Sequence, residues 1–347
     1  MPTQAHFAQQ LLLWFDDHGR YHLPWQQNRN GYRVWVSEIM LQQTQVATVI
    51  PYFERFMQRF PSVEALAQAE QDDVLSLWTG LGYYSRARNL HASAISICEQ
   101  HQGQMPSDLG SLIALKGIGR STAGAIMSQA FDQPGVILDG NVKRLLTRLH
   151  GIEGWPRLSH IEKQLWQLAT ELTPTQRNAD YSQAIMDLGA TVCKPKQPLC
   201  VTCPMQSTCQ ALANDTVAQI PTPKPKKVLP QKTVSVLLLK NPQGQIQLQQ
   251  RPAKGIWGGL WSLPEYANLT ALHAHLALSG LPINTQTLPT IKHVFSHYKL
   301  SIQPHLLQLQ HQPTKVAENE QSRWYDAAQL HTIGLATPIK KLLEKNQ

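Results

Sequence analysis

The chain has 347 residues, which exceeds one average domain and indicates two or three. Its formal net charge of +8 favours a polyanionic partner, and its five cysteines, four of them clustered, do not indicate a disulfide framework. We expect no signal peptide and no transmembrane span, and therefore no membrane partner. We expect a cytoplasmic protein, associated with the nucleoid if its source is bacterial.

The spacing of apolar residues changes once along the chain. Helical spacing runs through residues 1–213, as at Val46, Val49, Ile50 and Phe53. Residues 214–232 are rich in proline and lysine and are predicted to be a linker. Apolar residues that alternate with a period of two, or form a short run, then predict strands at 234–239, 246–248 and 298–302. Two further helices are predicted at 269–278 and 339–343. The sequence therefore predicts a multi-domain protein, mostly α over 1–213 and α+β over 233–347.

A glutamate stands in an apolar segment near the start of the chain. Glu38 follows Val34, Trp35 and Val36 and precedes three further apolar residues. A carboxyl group in apolar surroundings has a raised pKa, which suits a general acid. On a helix, Gln42 would lie on the same face, four residues later. A structural glutamate paired with Arg33 is the alternative that this segment alone favours.

Residues 80–89 read Gly-Leu-Gly-Tyr-Tyr-Ser-Arg-Ala-Arg-Asn. This mixture suits a loop that approaches nucleic acid, in which Tyr83 supplies a ring for stacking and Arg86 a charge for phosphate. The alternative is the start of a helix with a solvated basic face.

A Gly-x-Gly turn joins two helical patterns at residues 115–126. Gly117 and Gly119 allow a phosphate to approach the backbone, and the N–H groups of the next helix point toward that phosphate. This is the layout of a helix-hairpin-helix, although an ordinary glycine-containing connection fits as well. Asp139 lies about three helical turns further on. It is either an N-cap or a carboxylate that faces the cleft into which the hairpin delivers DNA.

Four cysteines have the spacing C-x6-C-x2-C-x5-C at Cys193, Cys200, Cys203 and Cys209. Four thiolates in one short loop are the usual ligands of a [4Fe–4S] cluster. A zinc site is the alternative, but zinc ribbons usually pair their cysteines as two CxxC-like units. Only Cys200 and Cys203 form such a pair here.

Taken together, these motifs closely resemble the MutY-type adenine DNA glycosylases of the helix-hairpin-helix superfamily, over essentially the whole chain. The segments that carry the resemblance are 37–45, 81–84, 115–123, 138–141, 181–189, the four cysteines and 295–297. The resemblance implies a glycosylase core at 1–213, a Nudix-like recognition domain at 233–347 and a [4Fe–4S] cofactor. Within the core it implies a six-helix lobe at about 22–131 and a cluster-bearing lobe of 1–21 with 132–213.

The resemblance also implies a substrate and a mechanism. The substrate is double-stranded DNA with adenine opposite 8-oxoguanine or guanine, bound by a monomer. Protonated Glu38 donates to adenine N7, ionised Asp139 stabilises the sugar cation, and Asn141 helps to hold the site. The implied contacts with DNA or the mispair are Leu41, Gln42, Tyr83, Arg86, Lys116, Gly117, Gly119, Ser121, Lys143, Gln183, Phe295, Ser296 and His297.

Ser121 separates this prediction from its nearest alternative, an endonuclease III-like pyrimidine glycosylase with strand-cutting activity. Those enzymes carry a lysine nucleophile just after the hairpin, where this chain has Ser121. We therefore expect a monofunctional enzyme, with Lys143 as the one nearby amine that could form an adventitious Schiff base. A non-catalytic DNA-binding module is the other alternative, but it has no need for both Glu38 and Asp139. The second domain lacks the acidic Nudix box, so we expect no pyrophosphatase activity from it.

Overall fold

The computed structural model describes residues 3–225, 228–311 and 321–346. The contacts within the chain divide it into two compact units. The helical unit consists of Met1–Gln68 and Ala92–Pro225, and the sheet unit consists of Ala69–His91 and Lys226–Gln347. No helix among the described residues is both long and apolar enough to cross a bilayer.

Helices fill the first 213 residues, as the apolar spacing predicts. In chain order they are α1 Gln4–His18, α2 Gly31–Leu41, α3 Val46–Arg59, α4 Val63–Ala67, α5 Gln71–Trp78, α6 Ser85–His101, α7 Leu109–Ala114, α8 Arg120–Phe131, α9 Gly140–Leu149, α10 Ser159–Leu172, α11 Asn178–Asp187 and α12 Gln210–Ala213. A π-helical turn, Leu188–Val192, extends α11 toward the cysteine loop. Gln42 is not on the helix of Glu38, because α2 ends at Leu41 and the backbone of Gln42 is no longer helical.

One apolar core joins the start of the chain to its later helices. Phe7, Leu11 and Phe15 of α1 are buried in the same cluster as Leu145 of α9 and Ile185 of α11. Because the buried residues of α1 recur at three- and four-residue spacing, this helix buries a single apolar face, whereas α9 and α11 are buried over most of their surface. This packing brings the segment after α1 beside α11.

The sheet unit contains a mixed sheet, as predicted for the second half of the chain. Its strands are β1 Gln231–Lys240, β2 Ile246–Gln250, β3 Trp261–Ser262, β4 Glu265–Tyr266, β5 Gln286–Thr287, β6 Ile291–Val294, β7 Lys299–Gln308 and β8 Ser322–Tyr325. Its helices are α13 Leu269–Leu278 and α14 Thr337–Lys345. The bounds of α13 coincide with the predicted helix, and each predicted strand falls on β1, β2 or β7.

The long strands β1 and β7 form the centre of the sheet. They pair in parallel, with Thr233 opposite Ser301, while the other pairs are antiparallel. Leu237 and Leu239 of β1 pack with Leu272 and Leu276 of α13. Burial of β1 on both faces explains why it reads as a continuous apolar run rather than an alternating one.

Residues 69–91 pack within the sheet unit although they precede it by more than a hundred residues. Trp261 Nε1 donates to Asp72 Oδ2 at 3.0 Å, and the Tyr84 hydroxyl donates to the Leu335 carbonyl at 3.1 Å. A Cβ on Gly334 would lie 2.8 Å from the Cβ of Leu75, so only glycine allows this approach. The predicted linker at 214–232 includes Lys226 and Lys227, which lie outside the described residues, as do 312–320 and 347 of the predicted second domain.

Candidate active site

Two carboxylates line one cavity of the helical unit. Glu38 comes from the last turn of α2, and Asp139 caps the start of α9. The cavity has a volume of about 400 Å³, which is within the range of small-molecule sites. Its wall also includes Arg20, Leu23, Trp25, Leu41, Gln42, Ser121, Asn141, Arg157, Gln183 and Met186. The structure therefore brings five of the residues predicted for catalysis or DNA contact, Leu41, Gln42, Ser121, Asn141 and Gln183, together with both carboxylates.

The surroundings of Glu38 favour its protonated form. Burial and the charge of Asp139 raise the pKa of Glu38 to about 7, against a smaller opposite effect of Gln129. The residue remains partly accessible through the cavity, so water and substrate can reach it. The alternative pairing with Arg33 is not formed, because that guanidinium donates to the carbonyl groups of Pro24 and Gln27. Glu38 can therefore donate a proton near neutral pH.

Hydrogen bonds to Asp139 support the ionised form of its carboxyl group. Its Oδ1 accepts the backbone N–H of Val142 at 2.8 Å, and its Oδ2 accepts Asn141 Nδ2 at 3.3 Å. Burial is the largest effect and raises the pKa of Asp139 above its ordinary value, while these donors and the charge of Arg144 oppose that rise. Since the repulsion between the two carboxylates acts on the pKa of Glu38, Asp139 is the first of the pair to ionise. Asp139 is thus both an N-cap and a cavity residue, so both of its predicted roles are structurally compatible.

Arg144 connects Asn141, which donates to Asp139, with the loop of the cysteines. Its Nη2 donates to Asn141 Oδ1 at 2.8 Å and to the Gly189 carbonyl at 2.7 Å, and its Nε donates to the Cys193 carbonyl at 2.7 Å. A planar guanidinium that donates in three directions fixes the groups around it. The orientation of Asn141, and with it that of Asp139, therefore depends on the first cysteine of the loop.

A chain of amides and one ion pair borders the cavity on the side of α11. Arg20 donates from Nε and Nη2 to Asp187 Oδ1, at 2.9 and 2.7 Å, and the Asp187 side chain is fully buried. Gln183 Nε2 donates to the same Oδ1 at 2.6 Å. Gln26 Nε2 donates to Gln183 Oε1. The amide of Gln183 is therefore held in one orientation at the cavity wall.

The predicted hairpin turn lies between α7 and α8. Gly117 has a φ of +86°, a conformation that favours glycine, and Gly119 caps α8. Lys116, Gly117 and Gly119 are exposed, so the N-terminus of α8 is accessible to an anion. Ser121 Oγ accepts the backbone N–H of Leu138 at 2.9 Å. The hydroxyl thus ties the hairpin to the segment that carries Asp139.

The four cysteines line a single, almost entirely apolar cavity in the helical unit. Arg148 Nη1 lies 3.4 Å from Cys193 Sγ and donates to the Lys194 carbonyl at 2.8 Å. Among the described residues, no three His, Cys, Asp or Glu side chains converge closely enough to hold one metal ion. A single zinc ion needs its thiolates at about 2.3 Å, whereas each thiolate of a cubane cluster binds a different iron atom. Four thiol groups in one apolar enclosure fit the ligand set of a [4Fe–4S] cluster.

The sheet unit has a separate pocket of about 600 Å³ that contains the other predicted recognition residues. Phe295, Ser296 and His297 form the turn between β6 and β7, closed by the Phe295 N–H and the Tyr298 carbonyl at 2.9 Å. Tyr83 is half exposed, with a φ of +48°, and lines the same pocket. The Trp257 ring lies 5.3 Å from that of Phe295. The structure thus places Tyr83 beside a turn more than two hundred residues away in sequence.

Two predicted DNA contacts have protein partners. Arg86 is buried, and its Nη2 donates to the carbonyl groups of Leu81 and Gly82, so it shapes the turn around Tyr83 rather than facing solvent. Burial lowers the pKa of Arg86 to about 10. Lys143 forms an ion pair with Glu162, so its amine is engaged by a carboxylate.

Sequence reasoning missed several residues in and around the cavity. Arg20, Gln26 and Gln129 come from elements that are distant in sequence and stand outside the motifs, and Asp187 lies within the segment 181–189 but was given no role. Asp187 offered the one signal, a carboxylate inside the apolar stretch of α11 that must find a partner when it is buried.

Comparison with known proteins gives the class of this fold. Residues 36–171 match the family model described as "HhH-GPD superfamily base excision DNA repair protein", and residues 235–345 match "NUDIX domain". A solved structure entitled "Structure of a thermostable thymine-DNA glycosylase" superposes with a TM-score of 0.56 and 25% identity, covering 61% of this chain and 97% of that one. The helical unit therefore has the fold of a helix-hairpin-helix DNA glycosylase.

Full-length relatives narrow the class to one family. The chain is 39% identical over 343 residues to the adenine DNA glycosylase of Buchnera aphidicola subsp. Acyrthosiphon pisum, covering 99% of this chain and 98% of that protein. It is 35% identical to the adenine DNA glycosylase of Homo sapiens, covering 98% of this chain and 74% of that protein. This chain belongs to the adenine DNA glycosylase family of base-excision repair enzymes. The predicted class of enzyme and its DNA substrate are confirmed, and the endonuclease III-like alternative is not favoured.

Proposed function

We propose that this protein hydrolyses the N-glycosidic bond of adenine mispaired with 8-oxoguanine or guanine in double-stranded DNA. The observation that carries the proposal is the pair Glu38 and Asp139, which share one cavity, where the pKa of Glu38 is about 7 and Asp139 accepts hydrogen bonds that support its ionised form. Paired carboxylates of this kind also serve enzymes that cleave O-glycosidic bonds.

The first step exposes the base, because the glycosidic bond cannot be reached inside the duplex. The adenine enters the cavity, where Gln183 and Met186 border it and the Arg20–Asp187 pair holds Gln183. An amide fixed in this way reads the polar edge of a base. Leu41 and Gln42 also line the cavity, and we assign them to the space that the flipped nucleotide leaves.

Bond cleavage then uses both carboxylates. Glu38 donates its proton to adenine N7, and the electron pair of the C1′–N9 bond leaves with the base. The positive charge that develops on the sugar is stabilised by ionised Asp139, which Asn141 holds in place. Water adds its hydroxyl group to C1′, and its remaining proton returns to Glu38. The products are free adenine and an abasic site.

The turn between α7 and α8 grips the DNA backbone. The exposed Lys116, Gly117 and Gly119 surround the N-terminus of α8, where a phosphate gains both N–H groups and the helix dipole. Ser121 occupies the position after this turn and supplies no amine for a Schiff base. Lys143 is paired with Glu162, so strand cleavage through it is at most a minor reaction.

We assign a [4Fe–4S] cluster to Cys193, Cys200, Cys203 and Cys209. Its support is the shared apolar cavity, which Arg148 borders. A bound cluster supplies iron–thiolate bonds that fix the loop and carry no step of hydrolysis. The chain's own residues transmit that rigidity, because Arg144 joins the Cys193 carbonyl to Asn141.

The pocket of the sheet unit is assigned to the base opposite the adenine. The exposed groups of Ser296 and His297 offer hydrogen bonds, while Phe295 and Tyr83 offer ring faces. These features suit 8-oxoguanine, which differs from guanine in its donors and acceptors. Arg86 contributes by shaping the turn that carries Tyr83.

The domain boundaries and the state of the protein are also part of the proposal. The core that joins α1 to α9, α10 and α11 supports a cluster-bearing lobe made of 1–21 and 132–213, beside a lobe at about 22–131. The linker is 214–232 and the recognition domain is 233–347. We expect a monomer in the cytoplasm that needs no membrane.

Single-turnover kinetics on three duplexes test this function. The duplexes carry adenine opposite 8-oxoguanine, adenine opposite guanine, and thymine glycol, each assayed with and without alkali. We expect excision of adenine only, fastest opposite 8-oxoguanine, with strand breaks only after alkali. Glu38→Gln is the control and should be inactive while still binding DNA. Release of thymine glycol, or excision by the Glu38→Gln variant, would overturn the proposal.

A further inference from the structure

A buried amide lies behind Glu38, outside the lining of the cavity. Gln129 belongs to α8, which packs against α2, and is only 5% exposed. Its Oε1 accepts Gln26 Nε2 at 3.4 Å. Its Nε2 is buried and has no hydrogen-bond partner among the described residues. A buried donor without a partner is costly to the fold and is a candidate for a role that appears only during the reaction.

The Nε2 end of the Gln129 amide acts on the carboxyl group of Glu38. Gln129 lowers the pKa of Glu38, in opposition to burial and Asp139, as expected of a donor that faces a carboxylate. The charged groups on α2, on the helices packed against α2 or α8, and on the cavity wall have other contacts or positions. Arg33 donates to the Pro24 and Gln27 carbonyl groups, Glu54 is exposed, Arg55, Arg59 and Arg120 lie over the rings of Tyr52, Phe60 and Trp166, Arg20 pairs with Asp187, Asp180 pairs with Arg177, and Arg157 lines the cavity wall.

Gln26 fixes the orientation of the Gln129 amide by donating to its Oε1. Gln26 donates to Gln129 Oε1 and also to Gln183, whose own amide is held by Asp187. Because Oε1 accepts from Gln26, Nε2 is the end of the amide that remains for an interaction with Glu38. Two side chains that border the reaction, Glu38 and Gln183, are thereby linked through one pair of glutamines.

We propose that Gln129 is a positioning residue whose amide donates to the Glu38 carboxylate once the proton of Glu38 has passed to adenine N7. The inference rests on the proposed role of Glu38 as general acid. Hydrogen bonds to a charged acceptor are about twice as strong as those between neutral groups, so this contact strengthens as charge develops. An interaction that is stronger in the transition state than in the ground state accelerates the reaction. When water returns a proton to Glu38, the contact weakens again.

The test is the pH dependence of single-turnover excision by Gln129→Met, which keeps the length of the side chain and removes its donor. Without the donor, the carboxylate is less stable and Glu38 holds its proton to higher pH. We expect the fall in rate at high pH to move upward by about one pH unit, with a plateau rate lower by about tenfold. Ser128→Ala is the matched control. Ser128 is the buried neighbour on α8, and within the described part of the chain its hydroxyl donates to the Gly124 and Ala125 carbonyl groups alone. Its pH profile should equal that of the wild type.

Several outcomes distinguish this inference from the proposed function. If Gln129→Met keeps the wild-type pH profile and plateau while Glu38→Gln is inactive, Gln129 has no such role and the proposed function stands. If Glu38→Gln excises adenine, the proposed function fails with it. A plateau that falls without any shift on the pH axis indicates a structural effect and also overturns the inference. If Gln129→Met does not fold, Gln129→Asn, whose shorter amide withdraws from Glu38, must give the same shift.

Discussion

Replacing Glu38 by glutamine should stabilise the protein above neutral pH while it abolishes catalysis. An ordinary glutamate titrates near 4.5, whereas burial and Asp139 raise the pKa of Glu38 to about 7. Since the pKa is higher in the folded state, protonated Glu38 stabilises the fold at low pH. That contribution is complete below the unfolded pKa and is lost as the pH rises through about 7. Glutamine cannot ionise, so the variant avoids the loss.

The magnitude follows from the size of the pKa difference. A rise from 4.5 to about 7 corresponds to about 3 kcal/mol at pH 8, as an upper bound because water enters the cavity. For a unit of this size, that is a difference of about 6–10 °C in melting temperature. At about pH 5 the two proteins should be nearly equal in stability.

Urea unfolding of Glu38→Gln and wild-type protein, followed by circular dichroism from about pH 5 to about pH 8.5, measures this difference. Glu54→Gln on α3 is the control, because it makes the same chemical change at an exposed position. Its stability should follow that of the wild type at every pH. A constant difference between Glu38→Gln and wild type across the range would refute the argument, since it would show that Glu38 does not titrate differently in the folded state.

Three further substitutions test other parts of the site. Asp139→Asn should lower the excision rate by at least about 10²-fold and leave DNA binding nearly unchanged, because the sugar cation loses its counter-charge. Cys200→Ser should lose bound iron and its visible absorbance, and should bind DNA more weakly. Changing Ser296 and His297 together to alanine should reduce the preference for 8-oxoguanine over guanine by about thirtyfold, since each of the two lost hydrogen bonds contributes about 1 kcal/mol.

Each of these expectations has a result that would contradict it. Excision by Asp139→Asn at the wild-type rate would remove this carboxylate from the mechanism. One zinc and no iron in anaerobically purified wild-type protein would exclude the cluster. An unchanged ratio of excision rates on the two mispairs would mean that the opposite base is read elsewhere.

The regular elements could be predicted wherever a local pattern determines them. The helix at 269–278 lies where it was expected, as α13, because its alanines and leucines favour a helix and Asn268 caps its first turn. Gln42 was assigned to the helix of Glu38, but α2 ends one residue earlier, and the apolar pattern carries no strong stop signal there. The parallel pairing of β1 with β7 is a contact between distant strands that no local pattern specifies.

The residues of the candidate site also fall into those that a local pattern indicates and those that only the fold brings together. Glu38 and Asp139 could be singled out because each stands in a short segment of unusual composition. The pKa of Glu38 could be predicted only in direction, because its value depends on how close Asp139 lies after folding. Gln129 gave no signal at all, since a single glutamine in a helix is ordinary until its neighbours are known.

The packing of residues 69–91 has a consequence for the order in which the protein is built during synthesis. The partners of Asp72 and Tyr84 lie 189 and 251 residues later in the chain. Domains fold largely as they leave the ribosome, and contacts over such separations form late. The turn that carries Tyr83 is therefore synthesised early but can complete its packing only after Leu335 has emerged from the ribosome. A nascent chain that stalls before that point would contain the cavity of Glu38 and Asp139 nearly complete. The pocket of the sheet unit, which we assign to the base opposite the adenine, would still be incomplete.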